Sequence, residues 1–208
     1  MSFANAAEWL HALGDLPLER IVFYPWPGTA TEADLLRFVE RDKRLCELID
    51  GTLVEKSPGL YEAIIAANLA AFLNRFVLTR KSGAVAGPNC TLRMASTGRI
   101  RLPDVCFIAA ERLPKTREPV STLAPDLAVE VLSETNTRLE MDQKLNEYFR
   151  SGTRLAWIVD PPTRTVEIYH APDKPIRVLK ETDQLDGEHV LPGFSVPVAD
   201  LFQNVPPT

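Results

Sequence analysis

The 208-residue chain is 45% hydrophobic and 25% charged with a formal net charge of −5, the composition of one well-cored globular domain and not of a disordered or fibrous chain. The acidic balance counts against strong nonspecific DNA affinity, because nucleic-acid binders carry a basic footprint, though it leaves room for a local basic patch. Cys46, Cys90 and Cys106 lack zinc spacing and read as reduced thiols of a cytoplasmic protein; no stretch approaches the ~18-residue apolar run of a membrane span, and the N-terminus has no secretory-signal pattern.

In chain order, Ala6 to Leu13 forms a short helix. After the break at Pro25-Trp26-Pro27-Gly28, Thr31-x-x-Asp34 resembles a capping box that opens a helix to about Glu40. Cys46 to Ile49 and Thr52 to Glu55 flank Asp50-Gly51, the signature of a two-residue hairpin. Ile64, Ile65, Leu69, Phe72, Leu73 and Phe76 recur at helical spacing up to Arg80, and Gly83 ends that helix. Strands follow near Ala84–Ala86 and Thr91–Met94, with a turn at Ser96-Thr97-Gly98. A longer strand is expected over Arg101 to Ala109, then a loop over Pro114 to Pro125 and a buried strand over Leu127 to Leu132. Thr137-x-x-Glu140 resembles a second capping box, opening a helix with Met141, Leu145 and Tyr148 inward and Gly152 at its end. Leu155 to Val159 is a buried strand closed by Asp160-Pro161-Pro162. Val166–Tyr169, Ile176–Leu179 and a tail with Asp186-Gly187 read as terminal antiparallel strands. This order describes one domain with a mixed sheet, α/β or α+β. Residues 1–44 form its N-terminal helical extension.

The chemistry concentrates at three residues. Glu130 interrupts the apolar run Leu127 to Leu132, where an ionised carboxylate costs several kcal/mol or more unless a cation or strong donors compensate. Period two puts it on the face of Ala128 and Leu132. Asp104 heads the run Val105-Cys106-Phe107-Ile108, and Lys144 borders the apolar stripe of its helix. Each has a bland alternative: a strand-start Pro-Asp, a glutamate satisfied by an arginine, a snorkelling lysine. Together they suit Mg²⁺ or Mn²⁺, oxygen-seeking ions, with a lysine to activate water, the chemistry of metal-assisted phosphodiester hydrolysis. Glu62 could reach the site as an accessory ligand, although a first-turn acid favoured by the helix dipole is the simpler account. His11, His170 and His189 are scattered without ligand spacing and read as surface or structural, while Tyr148 and Trp157 read as core. Phosphate loops and a nucleophile elbow are absent.

At these residues the chain resembles the Uma-two restriction-endonuclease family, a branch of the PD-(D/E)xK nuclease superfamily. The resemblance rests on Cys46-Glu47-Leu48-Ile49-Asp50-Gly51 with Val54-Glu55-Lys56-Ser57-Pro58, and on Leu102-Pro103-Asp104-Val105-Cys106-Phe107. It continues through Pro125 to Ser133, Lys144 with Tyr148, and Trp157-Ile158-Val159-Asp160-Pro161. It implies a restriction-endonuclease-like domain over 45–208, a central mixed β-sheet flanked by helices. Asp104 matches the motif aspartate and Glu130 the second acid. The motif lysine belongs two residues later, where this chain has Leu132, so the resemblance moves that role to Lys144 on the next helix.

The expected activity is Mg²⁺- or Mn²⁺-dependent endonuclease cleavage of DNA, with Asp104, Glu130 and the Val131 carbonyl as metal ligands and Lys144 assisting water. Two other readings stand beside it: an inactive nuclease fold serving as an interaction module, and a carboxylate-pair glycoside hydrolase. Exposed C-terminal strands suggest a homodimer.

Overall fold

The computed structural model describes residues 3–56 and 59–206; Ser57 and Pro58, part of one family-like segment, lie outside them. Helix α1 (Ala6–Ala12) starts where the Asn5 side chain accepts the Glu8 N–H. Helix α2 (Glu32–Arg37) starts in the expected capping box, Thr31 and Asp34 exchanging side-chain-to-backbone bonds, and runs into a single π-turn over Phe38–Asp42. Strands β1 (Leu45–Ile49) and β2 (Thr52–Lys56) meet at Asp50 and Gly51, whose φ values of 48° and 74° make the left-handed turn that suits paired, twisted strands.

Helix α3 (Leu60–Arg80) leads into β3 (Gly83–Ala86), β4 (Leu92–Arg93), β5 (Ile100–Arg101), β6 (Val105–Ala109) and β7 (Leu127–Val131). Helix α4 (Arg138–Ser151) joins β7 to β8 (Leu155–Asp160), and Gly152 ends it at φ 110°. Strands β9 (Thr165–Tyr169), β10 (Arg177–Leu179), β11 (Gln184–Gly187) and β12 (Leu191–Pro197) precede a last turn of helix, α5 (Val198–Leu201). The main sheet has the order β10-β9-β8-β7-β6-β3, and only β7 and β8 pair in parallel. A crossover helix is what a parallel pair needs, and α4 supplies it.

The expected alternation in β7 is what sorts the two faces. Leu127, Val129 and Val131 pack with Ile65, Leu69, Leu73 and Val77 of α3 and with the β11–β12 hairpin. Ala128, on the other face, joins Tyr148 of α4. By length and mean hydropathy of 1.3, α3 is apolar enough to cross a membrane, a correction to the sequence expectation; its buried stripe lies in the core of this domain.

The strand expected over Arg101–Ala109 is two strands in two sheets. Pro103 lacks an N–H for a ladder, and at Leu102-Pro103-Asp104 the chain leaves the four-stranded sheet β2-β1-β5-β4 and enters the main one. Asp104 therefore stands at the seam between the sheets.

Candidate active site

Each acid reaches this seam with one oxygen already held. The Val131 N–H donates to Asp104 Oδ2 at 2.8 Å, and the Tyr148 hydroxyl donates to Glu130 Oε1 at 2.5 Å. The remaining oxygens converge on the ammonium of Lys56, the last residue of β2. Lys56 Nζ lies 2.9 Å from Asp104 Oδ1 and 3.3 Å from Glu130 Oε2, and donates its third bond to the Leu102 carbonyl at 2.6 Å. An ammonium has three donors, so Lys56 is fully satisfied. Its burial pulls its pKa down, but Glu130 and Asp104 more than reverse this and hold it well above the ordinary value.

Lys144 approaches Glu130 from α4. Its Nζ is 3.0 Å from Glu130 Oε2 and 3.0 Å from Glu47 Oε1, with 1% of the side chain exposed. Burial lowers its pKa, and the charges of Glu130 and Glu47 outweigh that and raise it. Glu47 of β1 also accepts from Arg101 at 2.8 Å, and Arg101 donates to Glu147 at 2.6 Å. Burial would raise the Glu47 pKa; Lys144 and Arg101 instead drive it well below the carboxylate range. Burial and the Glu130 charge raise the Tyr148 hydroxyl far above its ordinary value, so it remains a donor.

These groups enclose a small cleft of about 20 Å³ lined by Arg20, Lys56, Asp104, Glu130, Val131, Ser133, Thr135 and Asn136, room for about one water-sized sphere. The structure places Asp104, Glu130 and Val131 together along this cleft. It sets Lys144 behind Glu130, away from the cleft lining. Glu62 does not line the cleft either. It borders a neighbouring groove of about 370 Å³ with Tyr61, Leu132, Ser133 and Asp160, and its carboxylate lies over the Gly59 Cα.

Glu47, Lys56 and Arg20 are the residues that sequence reasoning passed over. The signal for Glu47 was the one that exposed Glu130, an acid inside the apolar run Leu45-Cys46-Glu47-Leu48-Ile49. The hairpin register then gives Lys56: Glu47 pairs with Val54 and Leu45 with Lys56, which puts Glu47 and Lys56 on one face. Arg20 carries no such pattern. It arrives from a short 3₁₀ turn and bonds Glu140 at 2.8 Å and the Glu55 carbonyl at 3.0 Å. That contact also halves the second capping box. Thr137 accepts the Glu140 N–H, while the Glu140 carboxylate turns to Arg20 and Asn136.

The donor chemistry fits a hard divalent cation: two carboxylate oxygens, each on a group whose other oxygen is fixed, face a single point that the Lys56 ammonium holds beside a cleft that admits water. A family model described as "Uma2: Putative restriction endonuclease" matches residues 32–199. The fold is similar to a crystal structure described as a putative nuclease belonging to DUF820 from Anabaena variabilis ATCC 29413. The TM-score is 0.68 at 19% identity, over 76% of this chain and 89% of that one. No curated protein matches the chain.

Proposed function

The chain belongs to the Uma2 family of putative restriction endonucleases, and from that premise we propose a nuclease that hydrolyses DNA phosphodiester bonds with Mg²⁺ or Mn²⁺ held at Asp104 and Glu130. The observation that carries this reading is the pair of oxygens, Asp104 Oδ1 and Glu130 Oε2, turned to one cation position at the cleft, where the Lys56 ammonium now sits. The Val131 carbonyl would complete the protein's ligands, and water the rest. Bound there, the ion would polarise the phosphodiester and lower the pKa of an attacking water.

The protein's own groups do the positioning. The Val131 N–H and the Tyr148 hydroxyl keep Asp104 and Glu130 from rotating. Lys144 bonds Glu130 and Glu47, and Arg101 pairs with Glu47 behind it, so the ground behind Glu130 is neutralised. Lys56, at the cleft, supplies the positive charge that would face a phosphate oxygen. In this reading Lys56 takes the water- and phosphate-facing role that the sequence resemblance gave to Lys144, and Lys144 positions Glu130.

The interaction-module alternative draws on a different observation: the acids are already neutralised by lysines, so their burial requires no metal. One experiment separates the two. Purified protein incubated with single- and double-stranded DNA and Mn²⁺ is expected to cut, and Asp104→Asn or Glu130→Gln is expected to abolish cutting. Absence of metal-dependent cleavage, or cleavage unchanged in both variants, would favour the module.

A further inference from the structure

We propose a second metal site, for Zn²⁺ or a similar transition-metal ion, formed by His170, Glu188 and His189 at the opposite end of the sheet from the acid pair. The three residues are separated in sequence, yet one ligand atom from each lies within 4.8 Å of the other two. His170 directly follows β9. Glu188 and His189 sit in the turn between β11 and β12, closed by the Val190 N–H to the Gly187 carbonyl at 3.1 Å. The two imidazole rings meet edge to face with centroids 5.4 Å apart, and His170 Nε2 contacts Glu188 Oε2. Both histidines lie at the surface, as expected, but the fold brings them together despite their lack of ligand spacing in the sequence.

The ligand types select the ion. Two imidazoles and a carboxylate suit Zn²⁺ and its borderline neighbours, whereas Mg²⁺ prefers oxygen alone. Zinc bonds of about 2.1 Å set tetrahedral ligand atoms about 3.4 Å apart, so small side-chain rotations close this cluster onto an ion. Arg177 of β10 holds the other Glu188 oxygen, Oε1, at 2.5 Å and also bonds Asp186 at 3.1 Å. It orients the carboxylate as outer partners of metal ligands do. A fourth position stays open to water.

The strand register separates this site from the acids. Ala156 of β8 pairs with both Ala128 and Tyr169, so His170 lies level with Leu127, three residues from Glu130 along β7 and two strands across. At usual strand spacings the gap is roughly 14 Å. An ion here would clip the β11–β12 turn to the ends of β9 and β10, a structural tie independent of catalysis.

The test uses the full chain stripped of metal, titrated with Zn²⁺ by calorimetry and with Co²⁺ by visible absorption. One equivalent is expected to bind, to raise the melting temperature and to give tetrahedral Co²⁺ bands. All of this should persist in the Asp104→Asn/Glu130→Gln double variant, which separates it from the nuclease reading. His170→Ala and His189→Gln, both at exposed positions, should each weaken binding about tenfold or more with unchanged circular dichroism. No Zn²⁺ binding in the acid double variant, or an affinity in both histidine variants unchanged from that of the unsubstituted chain, would overturn the proposal.

Discussion

Two ammonium groups share Glu130 Oε2, and their surroundings give them different work. Lys144 is enclosed between Glu130 and Glu47, whereas Lys56 faces the cleft with 9% of its side chain exposed. Removing one partner of a buried ion pair costs about 3–5 kcal/mol, so Lys144→Met should lower the melting temperature by roughly 6–20 °C in a chain of this size. Lys56→Met should cut cleavage on the order of 10²–10⁴-fold while Mn²⁺ binding is kept or strengthened, because the competing ammonium is gone. Calorimetry and a cleavage assay on the two variants read both effects. If Lys144→Met lost all cleavage at unchanged stability, the roles would be reversed. Glu130 was legible in the sequence because a charge in an apolar strand demands compensation. The nature of the compensation was not, since the hairpin register places Lys56 beside Glu47 but only the seam between the two sheets, which has no local pattern, brings it to Glu130.

The β1–β2 hairpin is the element that sets the site, because it carries both Glu47 and Lys56. Its turn is crossed closely by the preceding chain: the Ala30 N–H donates to the Gly51 carbonyl at 2.7 Å, and a Cβ on Gly51 would meet the Gly28 carbonyl oxygen at 2.6 Å. Gly51→Ala would therefore add a clash to a left-handed backbone that already costs about 1–2 kcal/mol for an L-residue. A drop of at least about 2–8 °C in melting temperature is expected, with weaker cleavage. Gly98→Ala is the control, since Gly98 has φ 76° but nothing within 4 Å of its added Cβ, and its loss should be the smaller. Equal losses would show that the close crossing carries no weight. The Asp-Gly turn announced this hairpin in the sequence. The break at Pro103 was missed because the apolar residues on either side continue one strand-like pattern; the missing N–H, not hydrophobicity, sends the chain into the second sheet.

For the whole molecule, the buried acids fix how stability depends on pH. Burial would raise the Glu140 carboxyl, but its bond to Arg20 and the nearby Lys144 charge lower it below the ordinary 4.5, as Lys144 and Arg101 do for Glu47. The unfolded chain then binds protons that the folded chain refuses. Stability is fully present above pH 4.5 and is lost as pH falls from there through the folded values. Denaturant unfolding at pH 7 and pH 3 should show the loss, and Glu140→Gln should flatten it; equal stability at both values would sink this account. Among the described residues every buried carboxylate has a basic partner: Glu47 and Glu147 share Arg101, while Asp104 pairs with Lys56, Asp126 with Arg112, Glu130 with Lys144 and Glu140 with Arg20. The consequence concerns the order of events. Where metal ligands have no internal counter-charge, folding waits for the ion. Here the chain brings its own counter-ions to the seam, so folding can finish on the ribosome's timetable in a metal-poor solution. A divalent ion arriving later would exchange with an ammonium on a finished surface.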